Sequence, residues 1–349
     1  MDEFNLKEVL LQYEIDFHSV IISPIHQGLI NNTWKISGKE NAFILQKINE
    51  QIFKSPSDIA ENILMISEYL KKNHSQYFFV NAINSTKGKS IIQEECFGFF
   101  RLFPFVENSH SKNELTNPNQ AYEASKQFGR FTKLLNGFNA EKLKITLPSF
   151  HDLSLRYKIF LEALIKRNNE RIKESEKLIE KIKKWSFIVD EYEQIKLNLA
   201  FKLRVTHHDT KIGNVLFNTN DEGVCVIDLD TVMPGYFFSD VGDMMRTYLS
   251  PVNEEETDFK KIEVRTEYYK AIVQGYLEEM KDELNEVEKK YFFYAGTFMI
   301  YMQAIRFLTD YLNNDVYYGA KYPTHNFVRA QNQIVLLQCL FDKKELLEQ

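Results

Sequence analysis

The spacing of apolar positions along this chain switches between two periods, and the switches divide it into regions. Short β-branched and aromatic runs at Ser19 to Ser23 (SVIIS), Thr33 to Ile36 and Ala42 to Ile48 (AFILQKI) are separated by turn residues such as Asn31-Asn32 and Gly38-Lys39. That pattern predicts an antiparallel meander after an amphipathic opening helix. In SPSDIAENILMISEYLKKN the period becomes helical: Ser55 or Ser57 can cap, and Ile59, Ile63, Ile66 and Leu70 recur on one face. Strand-like segments return at Phe78 to Ile83, Ser90 to Glu95 and Phe99 to Asn108.

From Asn117 onward the period is helical over Ala121 to Leu135, Leu153 to Arg167 and a charge-rich Arg171 to Tyr192, whose Lys181, Lys183 and Lys184 read as a solvated face. Beta structure returns once, as NVLFN (Asn214 to Asn218), a turn at Asn220 to Gly223, and VCVIDLD (Val224 to Asp230). This predicts a hairpin set among helices. Val241 to Leu249, Phe259 to Glu279, Glu286 to Tyr311 and Thr324 to Phe341 then read as helices, with no internal repeat.

Composition narrows the class. At 349 residues the chain is long enough for two lobes, and 44% hydrophobic with 26% charged content is that of a folded protein. With 43 basic against 49 acidic side chains and no basic block interleaved with aromatics, a nucleic-acid partner is not expected. Cys96, Cys225 and Cys339 lack CxxC spacing and read as reduced, buried thiols. No signal peptide is visible, and Tyr291 to Ile305, between Lys290 and Arg306, is too short and polar to span a bilayer. A cytoplasmic protein without a membrane partner is expected.

The chemistry concentrates in VTHHDTKIGNVLFNTNDEGVCVIDLDTVMPG. His207, His208, Asp209 and Asn214 stand before and at the start of one strand of the hairpin, and Asp228 and Asp230 end the other. Adjacent strand ends would gather Asp209, Asn214 and Asp228 at one sheet edge, a set of hard oxygen donors suited to Mg²⁺ and to phosphoryl transfer. Zinc is disfavoured, because HHD lacks a third spaced His. Asp228 and Asp230 at strand spacing would share a face and favour a cation between them.

HHDTKIGN has the form HxDxxxxN, and VIDLD follows at hairpin distance. The segment resembles the catalytic loop and metal-binding aspartate of the protein-kinase-like fold, in the form used by aminoglycoside phosphotransferases and choline kinases. With SDVGDMMR, YMQAIRFLTDYLNNDVYYGAKYPTHNFVRAQ, GLINNTWKI, ILQKIN and RLFPFVEN, the chain is most similar to the N-acetylhexosamine 1-kinases. The resemblance implies a bilobal α+β protein-kinase-like fold. Residues 1–107 would form a small antiparallel-sheet N-lobe with one helix, and residues 108–349 a larger, mainly helical C-lobe carrying the catalytic loop and acceptor site.

The resemblance implies ATP and Mg²⁺ as cofactors and a small sugar as acceptor, phosphorylated at its anomeric hydroxyl. Asp209 would be the catalytic base and Asn214 and Asp228 the metal ligands. Lys47 would pair with the α and β phosphates, with Glu61 as its partner and Asp58 and Glu68 as rivals. Phe103, Phe105 and Glu107 would form the hinge against adenine. Arg306, Tyr317 and Asp230 would meet the sugar, His207 would brace the loop, and Asp240 would hold the loop backbone. The phosphate-covering turn QGLINNTW has Gly28 but no GxGxxG, and Leu29 stands where the sugar kinases can carry His. Without the resemblance, Arg306 within an aromatic helix needs a partner, either an internal Asp or a ligand. The acidic stretch Glu254 to Asp258, with Glu278, Glu279, Asp282 and Glu283, reads as solvated faces rather than as a cleft for a polycation.

Overall fold

The computed structural model describes residues 3–25, 30–95, 97–165 and 169–348; Gly28, Leu29 and Cys96 lie outside them. In chain order the elements are α1 (Glu3–Leu11), β1 (Ile21–Ile25), β2 (Asn32–Ser37), β3 (Ala42–Lys47), α2 (Pro56–Asn73), β4 (Ile92–Glu94), β5 (Gly98–Pro104), α3 (Pro118–Leu134), α4 (Leu153–Ile165), α5 (Asn169–Glu174), α6 (Glu176–Lys184) and α7 (Phe187–Leu197). They continue with β6 (Arg204–Thr206), β7 (Val215–Phe217), β8 (Gly223–Val226), β9 (Met233–Gly235), α8 (Phe237–Tyr248), α9 (Thr266–Met280), α10 (Phe292–Leu312), α11 (His325–Asp342) and α12 (Lys344–Leu347). No helix among the described residues is long and apolar enough to cross a membrane.

Two compact units emerge. The first comprises Met1–Glu114, Leu134–Pro148 and Gly213–Pro234; the second comprises Leu115–Lys133, Ser149–Ile212 and Gly235–Gln349. The β7–β8 hairpin therefore groups with the N-terminal sheet, whereas the sequence reading assigned it to a C-lobe beginning at residue 108. Inside the first unit, His110 and Phe217 exchange backbone N–H···O bonds of 2.9 Å, and Lys112 pairs with Asp221 at 2.7 Å, which ties the hairpin to the segment after β5.

In the first unit the strands run antiparallel in the order β1-β2-β3-β5-β4. One sheet face buries Ile36, Leu45, Ile92, Phe100 and Leu102 against Leu6, Val9 and Leu10 of α1. Strand alternation turns Arg101, between Phe100 and Leu102, to the opposite face. The predicted strand at Phe78 to Ile83 is reduced to one bridge, Ile83 to Leu102. Its neighbours Asn81 and Asn84 are turn formers rather than strand formers.

In the second unit α10 packs against α4, α8 and α11. Only Tyr294 and Arg306 of α10 escape full burial. Gly242 of α8 permits that contact, since a Cβ there would stand 2.3 Å from the Ala295 carbonyl oxygen. The expected long helix from Arg171 to Tyr192 is broken at Ser175 and at Trp185-Ser186, because each piece turns a separate apolar stripe inward: Leu178, Ile179 and Ile182 in α6, then Ile188, Val189, Tyr192 and Ile195 in α7. Lys181, Lys183 and Lys184 remain exposed. Cys225 is fully buried and its thiol is pushed up to about 12 by desolvation, whereas Cys339 is only half-buried.

Candidate active site

The second unit holds the loop from His207 to Thr210. Buried Asp240, near the start of α8, accepts the backbone N–H of His207 at 2.9 Å and of His208 at 2.7 Å. Asp243, one turn later, accepts the Thr210 N–H at 2.8 Å. Two carboxylates on one helix face therefore hold both sides of Asp209. Tyr248 reaches the same loop, donating its hydroxyl to the Thr210 carbonyl at 2.6 Å.

Burial raises the carboxyl of Asp240 to about 7, against the two backbone N–H groups that favour its charged form. Burial likewise raises Asp243, while Arg246, its nearest cation, draws it down. His207 packs edge-on against Phe128, with ring centroids 5.1 Å apart, and its Nδ1 accepts the Asp209 N–H at 3.4 Å, so it braces the loop by packing and by a hydrogen bond.

His208 adopts a left-handed backbone (φ 66°) and lies in a polar chain: Thr206 Oγ1 is 2.7 Å from its Nε2, and Ser239 Oγ is 2.7 Å from its Nδ1. His151 extends the chain, its Nδ1 2.5 Å from Ser239 Oγ. Gly235 is required beside this chain, because a Cβ there would fall 2.3 Å from Thr206 Oγ1 and 2.5 Å from the His208 ring. Burial holds His151 well below the usual imidazole range, reinforced by His208, Arg306, Arg246 and Arg156. Asp209 is partly exposed and forms a 2.8 Å ion pair with Lys211.

Arg306 and Tyr317, expected together, are brought together: Arg306 Nη2 is 3.5 Å from the Tyr317 hydroxyl, and Nη1 donates to Gln303 at 3.2 Å. The guanidinium lies 5.4 Å from the Phe150 ring, 5.5 Å from Tyr318 and 5.9 Å from Tyr317. Neither the hydrogen bonds nor the ion pairs of the described residues give it a carboxylate. The internal Asp that sequence reasoning allowed for is absent among them. Part of the acidic stretch is not solvated either: Glu254 is bridged by Arg246, at 2.8 Å, and by Arg329.

The first unit holds the β7–β8 hairpin. Asp228 is left-handed (φ 62°, ψ 63°) and follows the end of β8 rather than lying in it, so the expected shared face with Asp230 is lost. Ile227 N–H donates to the Asn214 carbonyl at 2.9 Å, which places Asn214 and Asp228 at one end of the hairpin. One amide and one carboxylate are hard donors that fit Mg²⁺, with phosphate and water oxygens to complete its shell.

Asp230 departs from its expected place at the substrate. It is 1% exposed, pairs with Arg101 at 2.5 Å and accepts from Asn31 Nδ2 at 2.8 Å. Arg101 also donates to Gln46 Oε1 at 2.9 and 3.1 Å, and Thr146 Oγ1 donates to the Asp230 carbonyl at 2.7 Å. A carboxylate this buried needs a cation, and Arg101 supplies it. The signal for Arg101 was in the sequence: one charge in the apolar strand FFRLFPF.

Lys47 ends β3 opposite Phe100, its Nζ 6.0 Å from that ring, with no ion pair to any described carboxylate. Glu61 is not brought to it. The Glu61 carboxylate is half-exposed and 3.8 Å from Lys144, because α2 turns Ile59, Asn62, Ile63 and Ile66 inward and leaves Glu61 off that stripe. Asn62, which sequence reasoning missed, bonds both backbone groups of Lys144 and the Val232 carbonyl. Phe103 lies on β5 beside Arg101, Phe105 N–H donates to the Ala42 carbonyl at 3.0 Å, and Glu107 stands exposed in the following turn.

Residues 21–286 match the phosphotransferase enzyme family. The fold is that of protein-kinase-like phosphotransferases. Spectinomycin phosphotransferase in complex with ADP and spectinomycin is 14% identical, with a TM-score of 0.60 over 98% of both chains. An aminoglycoside phosphotransferase from Alicyclobacillus acidocaldarius is 10% identical, with a TM-score of 0.62 over 97% of this chain and 95% of its own. A choline kinase from Cryptosporidium parvum is 15% identical, with a TM-score of 0.58 over 99% of this chain and 98% of its own.

Proposed function

Because the chain belongs to the phosphotransferase enzyme family, we propose that it is a cytoplasmic, ATP-dependent kinase that phosphorylates the anomeric hydroxyl of an N-acetylhexosamine. The observation that carries the acceptor class is Arg306. Three aromatic rings surround its guanidinium and no described carboxylate pairs with it, so its free N–H groups are available to neutral oxygens such as sugar hydroxyls or an acetyl carbonyl. The Tyr317 ring, 65% exposed, adds a stacking face. A cationic alcohol such as choline or an aminoglycoside fits less well. The rings that would cage its charge already surround Arg306, and Arg156 adds further positive charge beside Arg306.

In the proposed reaction Asp209 accepts the proton of the acceptor hydroxyl as that oxygen bonds to the γ-phosphorus of ATP. The bond from phosphorus to the bridging oxygen breaks, and ADP leaves. Lys47 binds the α and β phosphates, and the end of β5 through Phe103, Phe105 and Glu107 receives adenine. Asn214 and Asp228 would hold Mg²⁺, which neutralises charge on the phosphates when bound. The test is ADP release from Mg²⁺-ATP with N-acetylglucosamine, N-acetylgalactosamine, N-acetylmannosamine, choline, homoserine and kanamycin, with the product position read by NMR. Turnover of amino sugars to 1-phosphates is expected. Turnover of a cationic alcohol alone would overturn the acceptor assignment.

A further inference from the structure

We infer that Asp310, closed by Asn326, is the positioning residue that sets acceptor affinity by fixing the backbone beneath Tyr317 and Tyr318. The inference rests on the acceptor role proposed for Arg306 and Tyr317. Asp310 lies in the last turn of α10 and is 4% exposed. Its Oδ1 accepts the Tyr317 N–H at 2.7 Å, and its Oδ2 accepts the Tyr318 N–H at 2.9 Å. Two consecutive amides on one carboxylate fix both the height and the direction of the chain at that point.

Asn326 of α11, fully buried, completes the clamp. Its Nδ2 lies 3.1 Å from Asp310 Oδ2, 2.9 Å from Asp315 Oδ1 and 2.9 Å from the Gly319 carbonyl. The loop it closes holds two non-glycine residues, Asn314 and Asp315, left-handed at φ 65° and 60°, a less favourable conformation, while Gly319 takes φ 68° freely. Arg171 anchors its near side through Asp315 at 2.6 Å. Tyr317 projects into solvent, and among the described residues its side chain is oriented by Arg306, at the limit of hydrogen-bonding distance, and by an edge contact with Tyr318. The position of the ring is therefore inherited from the clamped backbone.

The test compares wild type with Asp310→Asn, which keeps the volume but offers one acceptor oxygen in place of two. With N-acetylglucosamine and Mg²⁺-ATP, a rise in the acceptor KM of about tenfold is expected, about the loss of one charge-assisted hydrogen bond, with kcat and the KM for ATP within about threefold. Hydrogen exchange should accelerate in the peptide spanning residues 316–319 and nowhere else. Asn326→Ala should give a smaller shift in the same two readouts, and carries the test if Asp310→Asn does not fold. Unchanged exchange at 316–319, or exchange that rises throughout the molecule with all kinetic constants falling together, overturns the inference. If wild type turns over none of the amino sugars, the acceptor reading fails on its own, and local exchange alone upholds or overturns the clamp.

Discussion

Arg101 and Arg306 stand in different units and have opposite surroundings. Arg101 is 3% exposed and closed off by Asp230 and Gln46. Arg306 is partly exposed, ringed by aromatic side chains and without a carboxylate among the described residues. A buried charge must be compensated within the chain or the fold does not form; a charge at the rim of a site can wait for a ligand. The comparison separates charges that build the molecule from charges left available for chemistry. It also moves Asp230 from the second class, where sequence reading placed it, to the first.

The contrast can be pressed with single substitutions. Asp209→Asn should lower kcat by about 10³-fold or more by removing the proposed general base, while its urea midpoint stays that of wild type, since the carboxylate is partly exposed. A loss of under tenfold would remove Asp209 from the chemistry. Arg101→Met should do the reverse in kind, leaving Asp230 buried without its cation and costing about 3–5 kcal/mol of stability. An unchanged denaturation midpoint would show the pair to be dispensable.

Asp240 gives the pH arm. Its carboxyl is raised by burial from 3.8 to about 7, so the folded state binds its proton more tightly than the unfolded chain does. Its contribution to stability is then fully present below about pH 4 and is lost as the pH rises through 7, a change on the order of 4 kcal/mol. Unfolding free energies measured from pH 4 to 8 should lose this downward component in Asp240→Asn; an identical slope in both proteins would refute the raised value. Arg306→Met should leave stability near wild type and reduce kcat/KM for the acceptor about 30-fold, equivalent to about 2 kcal/mol. Should Arg306→Met instead match Arg101→Met in destabilisation, the distinction between the two arginines collapses.

Much of the proposed site could be read from the chain because phosphoryl transfer demands residue types at fixed spacing along it. Asp209, Asn214 and Asp228 are proposed from HHDTKIGN and VIDLD, and Asp240, which holds the backbone of His207 and His208, was legible in SDVGDMMR. Asp243, three residues beyond Asp240 on the same helix, was available by helical periodicity and was missed. His151, Ser239 and Asp310 carried no local signal. Their roles depend on contacts with segments 57, 31 and 7 residues away, respectively, in the chain.

The sequence by itself determined the alternation of sheet, helix and hairpin, the set of oxygen-bearing side chains around the hairpin and the aromatic helix around Arg306. These are properties of spacing and residue type, which short-range periodicity encodes. Tertiary structure alone decided which polar side chains are consumed by the fold. Glu61 is turned off the buried stripe of α2, Asp230 is locked to Arg101, and Arg306 is left without an internal anion. The physical reason is that burial sets the cost of an unpaired charge, and burial is a property of the assembled unit rather than of any stretch of chain.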